Sequence, residues 1–263
     1  MAPGVLLGDS AEAPHTLSTK HLNNQAPRDI FPDGIKTSGQ HPPIYSKLKS
    51  YEDFPKEITG KTVWESKNYQ HNPERWVHYL TEDEKAELSA AADNFIASGL
   101  PLTGMTKEKF PLPILSKLMD EIREDVINGK GFNLTKGFPV EEWGVNKSAV
   151  AYIGLGTYLG YFVSQNGKGH ILGHVQDLGD DPTQIHRVRI YRTNARQFFH
   201  ADTSDVVGLL CIHRAMEGGE SDIASVHHVF NILQRERPDV VRTLTEPIWY
   251  FDRKGEVSEG EEE

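Results

Sequence analysis

A single cysteine stands in 263 residues, so no disulfide can close within the chain. Basic residues are scarce beside acidic ones: 28 Lys and Arg against 38 Asp and Glu give a formal net charge of −10. Proteins that grip a phosphate backbone do so with clustered Lys and Arg that release counterions, so the charge argues against nucleic acid as the main partner. Long hydrophobic runs are missing as well. No stretch approaches the roughly 18 apolar residues of a membrane span, and the opening M-A-P-G-V-L-L-G-D-S lacks the basic start and apolar core of a secretory signal. The expectation is a cytoplasmic protein with no membrane and no nucleic-acid partner, with homo-oligomerisation open. The lone Cys211 lies in V-V-G-L-L-C-I and is expected to be a small buried core residue rather than a nucleophile.

With 37% hydrophobic residues the chain can build a sizeable core. Residues 1–60 carry seven prolines, from Pro3 to Pro55, with many Gly, Ser and Asn, and read as an irregular N-terminal arm. Helical signals begin at Leu80. Thr81 and Glu84 form a capping-box pattern, and Leu88, Ala91, Ala92, Phe95 and Ile96 follow at helical spacing up to Gly99. A second helix is predicted from about Leu112 to Asn128, with Gly129 as its stop, and a third from about Ser148 to Gly160. Between them G-F-N-L-T-K-G-F-P, residues 131–139, favours β structure. Further on, V-R-I-Y alternates and V-V-G-L-L-C-I is continuous, which predicts a half-buried and a fully buried strand. A last helix is expected from about Val226 to Arg235, and the acidic tail 256–263 reads as solvated. The layout is α+β.

Chemistry concentrates in R-Q-F-F-H-A-D-T-S, residues 196–204. On extended backbone, residues two apart project from one face, so His200 and Asp202 are predicted to point into one cavity. An imidazole and a carboxylate suit a first-row divalent ion, and with one more His they make the facial triad of non-haem Fe(II) oxygenases. The same three letters also occur by chance as a hydrogen-bonded pair at a strand end.

The surroundings extend the pattern. G-G-E-S lies at Gly218 to Ser221, V-S-Q-N-G-K-G-H-I-L at 163–172, and S-V-H-H-V-F-N-I-L-Q-R-E-R-P-D-V at 225–240. With F-H-A-D and G-F-N-L-T-K-G-F-P, these motifs make residues 130–245 similar to the taurine dioxygenase-like family of Fe(II)- and 2-oxoglutarate-dependent oxygenases. The resemblance implies a double-stranded β-helix, a jelly-roll of the clavaminate synthase type with flanking helices, over residues 61–255. It implies that His200 and Asp202 are catalytic metal ligands for Fe(II), with 2-oxoglutarate and O₂ as co-substrates. It places the Ser221 hydroxyl on the distal carboxylate of 2-oxoglutarate, and Gln165 and Asn166 along the substrate pocket.

One part of the family pattern is not met. The family's second ligand His, and the Arg that pairs with 2-oxoglutarate, lie further beyond H-x-D than the residues after Asp202 extend. The expectation is therefore a barrel without its C-terminal strands. His213, His227 and His228 are the alternatives for a third ligand, although adjacent residues on a helix diverge by about 100° and only one of the last two could face a site. Two functions follow: a dioxygenase that hydroxylates or desaturates a small organic molecule with release of succinate and CO₂, or a catalytically inactive truncated fragment or binding module of the same fold. A Zn²⁺ hydrolase using the same two ligands is weaker, because no H-E-x-x-H or equivalent is present.

Overall fold

The computed structural model describes residues 49–165, 170–184, 188–202, 204–246 and 249. Most of the expected N-terminal arm, residues 1–48, and the acidic tail 256–263 lie outside the described residues. The chain divides into two compact units, Met1–Phe54 with Arg242–Asp252, and Pro55–Val241 with Arg253–Glu263. In the first unit the Arg242 guanidinium stacks over the Tyr51 ring and pairs with Glu52 at 2.8 Å. The second unit holds nearly all the regular structure.

Its described elements, in order, are β1 (Val77–Tyr79), α1 (Glu82–Ala97), α2 (Leu115–Asn128), β2 (Leu134–Lys136), α3 (Val140–Leu159) and α4 (Val226–Glu236); α5 (Pro238–Leu244) follows at once. β1 and β2 pair in parallel, Val77 opposite Leu134 and Tyr79 opposite Lys136, with α1 and α2 as the crossover. The first helix is as predicted. Thr81 Oγ1 accepts from Glu84 N at 3.3 Å, and Glu84 Oε2 accepts from Thr81 N at 2.8 Å, the reciprocal bonds of a capping box. Leu88, Ala92 and Phe95 are buried, whereas Ile96, expected on that face, is exposed.

α2 starts three residues later than predicted. The two carboxylate oxygens of Glu87, on α1, accept from Ile114 N and Leu115 N at 2.7 and 2.8 Å, so the N-terminal cap comes from a neighbouring helix instead of the local sequence. Leu112 stays in the core ahead of it, and Ile114 and Ile127 are exposed.

α3 is the helix on which both α1 and α2 pack. It is longer than predicted and bends at Gly144, whose φ of 67° and ψ of 175° leave the helical range. Glycine is also required at Gly154, because a Cβ there would overlap the Phe110 ring. Phe110 and Leu112 are fully buried beneath α3, and the Tyr158 hydroxyl ties them down, accepting from Leu112 N at 2.9 Å and donating to Phe110 O at 3.0 Å. Lys147 fastens α3 to α1 through Ser89 Oγ and Asp93 Oδ2.

Two predicted strands are not observed. In V-R-I-Y the residues Ile190–Arg192 form a 3-10 turn, and 206–212 has no strand ladder among the described residues. Val207 and Leu209 are exposed, and so is Cys211, which corrects the expectation of a buried thiol. A continuous apolar run becomes a buried strand only when another strand saturates its backbone and a layer covers its face, and no described residues supply either. Gly208 lies against α3, where a Cβ would come within 2.5 Å of the Tyr152 hydroxyl. α4 matches its prediction; α5, which was not predicted, starts on Pro238, a residue suited to a first helical turn. No described helix is long and apolar enough to cross a membrane.

Two substitutions in α3 should move stability in opposite directions. Alanine at Gly154 would gain about 1 kcal/mol of helix propensity, but forcing a methyl into the Phe110 ring costs typically 1–3 kcal/mol and shifts packed neighbours, so the variant should be less stable. Ser148 Oγ is buried with no hydrogen-bond partner, and its i−4 residue is Gly144, where the helix breaks. Ser148→Ala should therefore stabilise by roughly 1 kcal/mol. Urea unfolding of the two variants checks both signs.

Glu84 carries a pH dependence. Burial pushes its carboxyl up, but the bonds from Thr81 N and His78 outweigh this and hold it below the usual carboxylate range. A carboxyl depressed in the folded state contributes stability that is present above its unfolded pKa and lost as pH falls through the folded value. Glu84→Gln should therefore cost stability at pH 7 and cost progressively less below about pH 4. A gap between wild type and variant that is constant from pH 7 to pH 3 would refute this.

Candidate metal centre

Between α3 and the N-cap of α4 the described residues are coil apart from the 3-10 turn Ile190–Arg192, and a few polar contacts shape them. Gln176 N and Leu178 N donate to Tyr191 O and Arg192 O at 3.0 and 2.8 Å. The Arg192 guanidinium pairs with Asp180 at 2.8 Å. Thr193 is buried, donates to Ile190 O at 2.8 Å and accepts from Ala195 N at 3.2 Å, which fixes the turn leading into Phe198.

From that turn the chain delivers His200 and Asp202. The ring Nδ1 of His200 lies 2.7 Å from Phe198 O, and its Nε2 lies 3.8 Å from Asp202 Oδ1. A carbonyl oxygen only accepts, so Nδ1 carries the proton, and in the neutral ring Nε2 is left as a lone pair facing a carboxylate. Two electron-pair donors on one side of the chain can share a cation, and at 3.8 Å in an exposed position a ring proton or a water serves equally well. The Nδ1 contact is also the support a metal-binding imidazole ordinarily has, with its other N–H held by a carbonyl. Cis ligands with bonds of about 2.1 Å are roughly 3 Å apart, so the pair must close by less than 1 Å. In kind and in orientation the donors fit two ligand positions of an Fe(II) site.

A third donor is not found with them. Among the described residues no group of three or more His, Cys, Asp or Glu could hold a metal ion. His213 is exposed; His227 instead turns its Nδ1 to Thr62 Oγ1 at 2.7 Å, and the backbone N of its neighbour His228 donates to the capping Ser225 Oγ at 3.0 Å. The pair itself is open to solvent, its side chains 55% and 54% exposed, rather than facing a cavity. A cleft of about 450 Å³ lies elsewhere, between Lys61 and the acidic face of α2 that carries Asp120, Glu121 and Glu124.

The remaining predicted residues are scattered. Ser221 is exposed and follows Gly218 and Gly219, which both adopt left-handed φ, 72° and 77°. That double turn accounts for the glycines by backbone conformation alone. Gln165 is exposed; its backbone N donates to His170 O at 2.6 Å and its side-chain amide to Val163 O at 3.0 Å. Asn166 lies outside the described residues. No hydrogen bond or ion pair joins Ser221 or Gln165 to the His200–Asp202 pair among the described residues.

Sequence reasoning missed how the region is anchored. α4 faces residues 55–62, a strap, with amide and hydroxyl side chains: Asn231 pairs both ways with the backbone of Ile58 at 2.7 Å, and Gln234 donates to Pro55 O at 2.9 Å. Ser225 Oγ donates to Thr62 O at 2.6 Å. The available signal was the uncharged polar stripe His227, Asn231 and Gln234 at i, i+4 and i+7 of the helix.

Residues 98–263 match the family described as taurine catabolism dioxygenase TauD, TfdA family. FR-33289 synthase from Streptomyces rubellomurinus is 31% identical over 210 residues, which cover 80% of this chain and 61% of that protein. The taurine hydroxylase-like protein SAT17 from Stachybotrys chartarum is 25% identical over 201 residues, 74% of this chain and 52% of that protein. The chain thus aligns with between about half and three-fifths of each of these relatives. With its matched residues covering more than half of its length, the chain belongs to the TauD/TfdA family of Fe(II)- and 2-oxoglutarate-dependent dioxygenases.

Proposed function

We propose that the protein is an Fe(II)- and 2-oxoglutarate-dependent dioxygenase that hydroxylates or desaturates a small organic molecule and releases succinate and CO₂. Residues 61–255 are assigned as its oxygenase domain; the described residues show the β1–β2 pair and not the family's double-stranded β-helix. The observation that carries the reading is the His200–Asp202 pair, with Nδ1 held by Phe198 O and Nε2 turned to the carboxylate. When bound, Fe(II) with 2-oxoglutarate and O₂ supplies an oxidant strong enough for an unactivated C–H bond.

The chain's own residues hold and orient. His200 and Asp202 are two iron ligands, and the Phe198 carbonyl fixes the imidazole tautomer. The Ser221 hydroxyl donates to the distal carboxylate of 2-oxoglutarate, a role that fits a small donor at an exposed turn. Gln165 and Asn166 contribute to the substrate pocket. A second reading, an inactive binding module of the same fold, is favoured by one observation: the described residues supply two donors and no third.

Anaerobic Fe(II) with 2-oxoglutarate should give the protein a weak visible charge-transfer band, and Asp202→Ala should remove it. A band unaffected by that substitution would sink the ligand assignment. Absence of the band from the unsubstituted chain would favour the binding-module reading.

Ser221→Ala should weaken 2-oxoglutarate binding about ten- to a hundredfold, since a hydrogen bond to a charged group is worth roughly 1.5–3 kcal/mol. Titration of the same band measures this, and an unchanged affinity would reduce Ser221 to a turn residue.

A further inference from the structure

We propose that Ser225 is a positioning residue for the Ser221 turn, fixing it against the strap at Thr62; this rests on the co-substrate role given to Ser221 above. Residues 213–224 are coil and almost wholly exposed, and Gly218 and Gly219 give the turn a backbone that no Cβ restrains. The first fixed point after Ser221 is Ser225, four residues on and buried. Its hydroxyl performs two tasks. It accepts from His228 N at 3.0 Å, capping α4, and it donates to Thr62 O at 2.6 Å, attaching the helix start to the strap.

The strap is in turn tied to the rest of the unit. Trp64 Nε1 donates to Lys130 O at 2.8 Å, and the Trp64 ring lies 5.0 Å from Phe132 and 5.6 Å from Tyr69. Phe132 is two residues before β2 and its ring lies 5.9 Å from Trp76, which precedes β1. A continuous path of packed and hydrogen-bonded groups therefore runs from the β1–β2 pair through Trp64 and Thr62 to Ser225. Beyond Ser225, four residues span at most roughly 13 Å, so holding this one hydroxyl bounds where the Ser221 hydroxyl can be.

The two tasks separate by substitution. Ser225→Asp still accepts from His228 N but cannot donate to Thr62 O once ionised, so it keeps the cap and loses the anchor. Ser225→Thr keeps both. The readout is the affinity of the Fe(II)-loaded chain for 2-oxoglutarate, from the charge-transfer band under anaerobic conditions, with α4 helicity followed by circular dichroism. Ser225→Asp should raise the Kd about tenfold at unchanged helicity, and Ser225→Thr should behave as wild type.

In a Ser221→Ala background Ser225→Asp should have no further effect, because the anchor acts through Ser221. Equal losses in both backgrounds would mean general damage, and no loss from Ser225→Asp in the otherwise wild-type chain would mean a cap alone; either overturns the proposal. If Ser221→Ala by itself leaves binding unchanged, or the unsubstituted chain binds no 2-oxoglutarate, the co-substrate reading falls and takes the proposal with it.

Discussion

The Phe110 ring sits against the bare backbone of Gly154, and the order of the helical half follows from that approach. It sinks the connection between α1 and α2 into the face of α3, where Phe110 and Leu112 are fully buried and Tyr158 satisfies the backbone of both. A loop can be buried only if its polar groups find partners, and a single phenol that both donates and accepts provides them. With the connection fixed, α1 and α2 both pack on α3, and Glu87 of α1 reaches the start of α2 to cap it. Apolar packing and two polar substitutes for secondary structure thus define one half of the unit.

α4 is held by different means. α4 presents Asn231, Gln234 and Ser225 to backbone groups of residues 55–62, while Val226 and Val229 on its other positions stay exposed. Individual neutral hydrogen bonds contribute on the order of 1 kcal/mol net, so this attachment is directional but shallow compared with burial of a core side chain. It specifies where α4 begins without committing it to a deep position. The 3-10 turn at Ile190–Arg192 and the buried Thr193 work in the same way upstream of His200.

Local signals were legible where the deciding partner was local. The Thr81–Glu84 capping box, the Gly129 stop and the start of α4 at Val226 are readable because each is settled within a few residues. The displaced start of α2 was not, since its cap is Glu87 of another helix. V-V-G-L-L-C-I was misread as a buried strand because apolarity states a demand for cover and not that cover exists. At the site, the spacing in H-A-D led to the expectation of two side chains in one cavity; His200 and Asp202 approach to 3.8 Å, but on exposed coil and not in a cavity. The Phe198 carbonyl that sets the tautomer is a backbone group and leaves no mark in the sequence.

Phe198 and Phe199 precede the donor pair and are 80% and 67% exposed, with Leu209 and Met216 also open to water. Burying one phenylalanine is worth about 1.5–3 kcal/mol, so cover over both would gain several kcal/mol. The same cover would change the electrostatics of the neighbouring donors. Two charges 4 Å apart interact by about 1 kcal/mol in water and about 4 kcal/mol at an effective dielectric of 20. Were a divalent ion held by His200 and Asp202, shielding of the phenylalanines would strengthen its attraction to the carboxylate, against the cost of desolvating both charges. On the proposed reading, apolar cover over Phe198 and Phe199 would couple to metal affinity at His200 and Asp202, because the same cover excludes water from both.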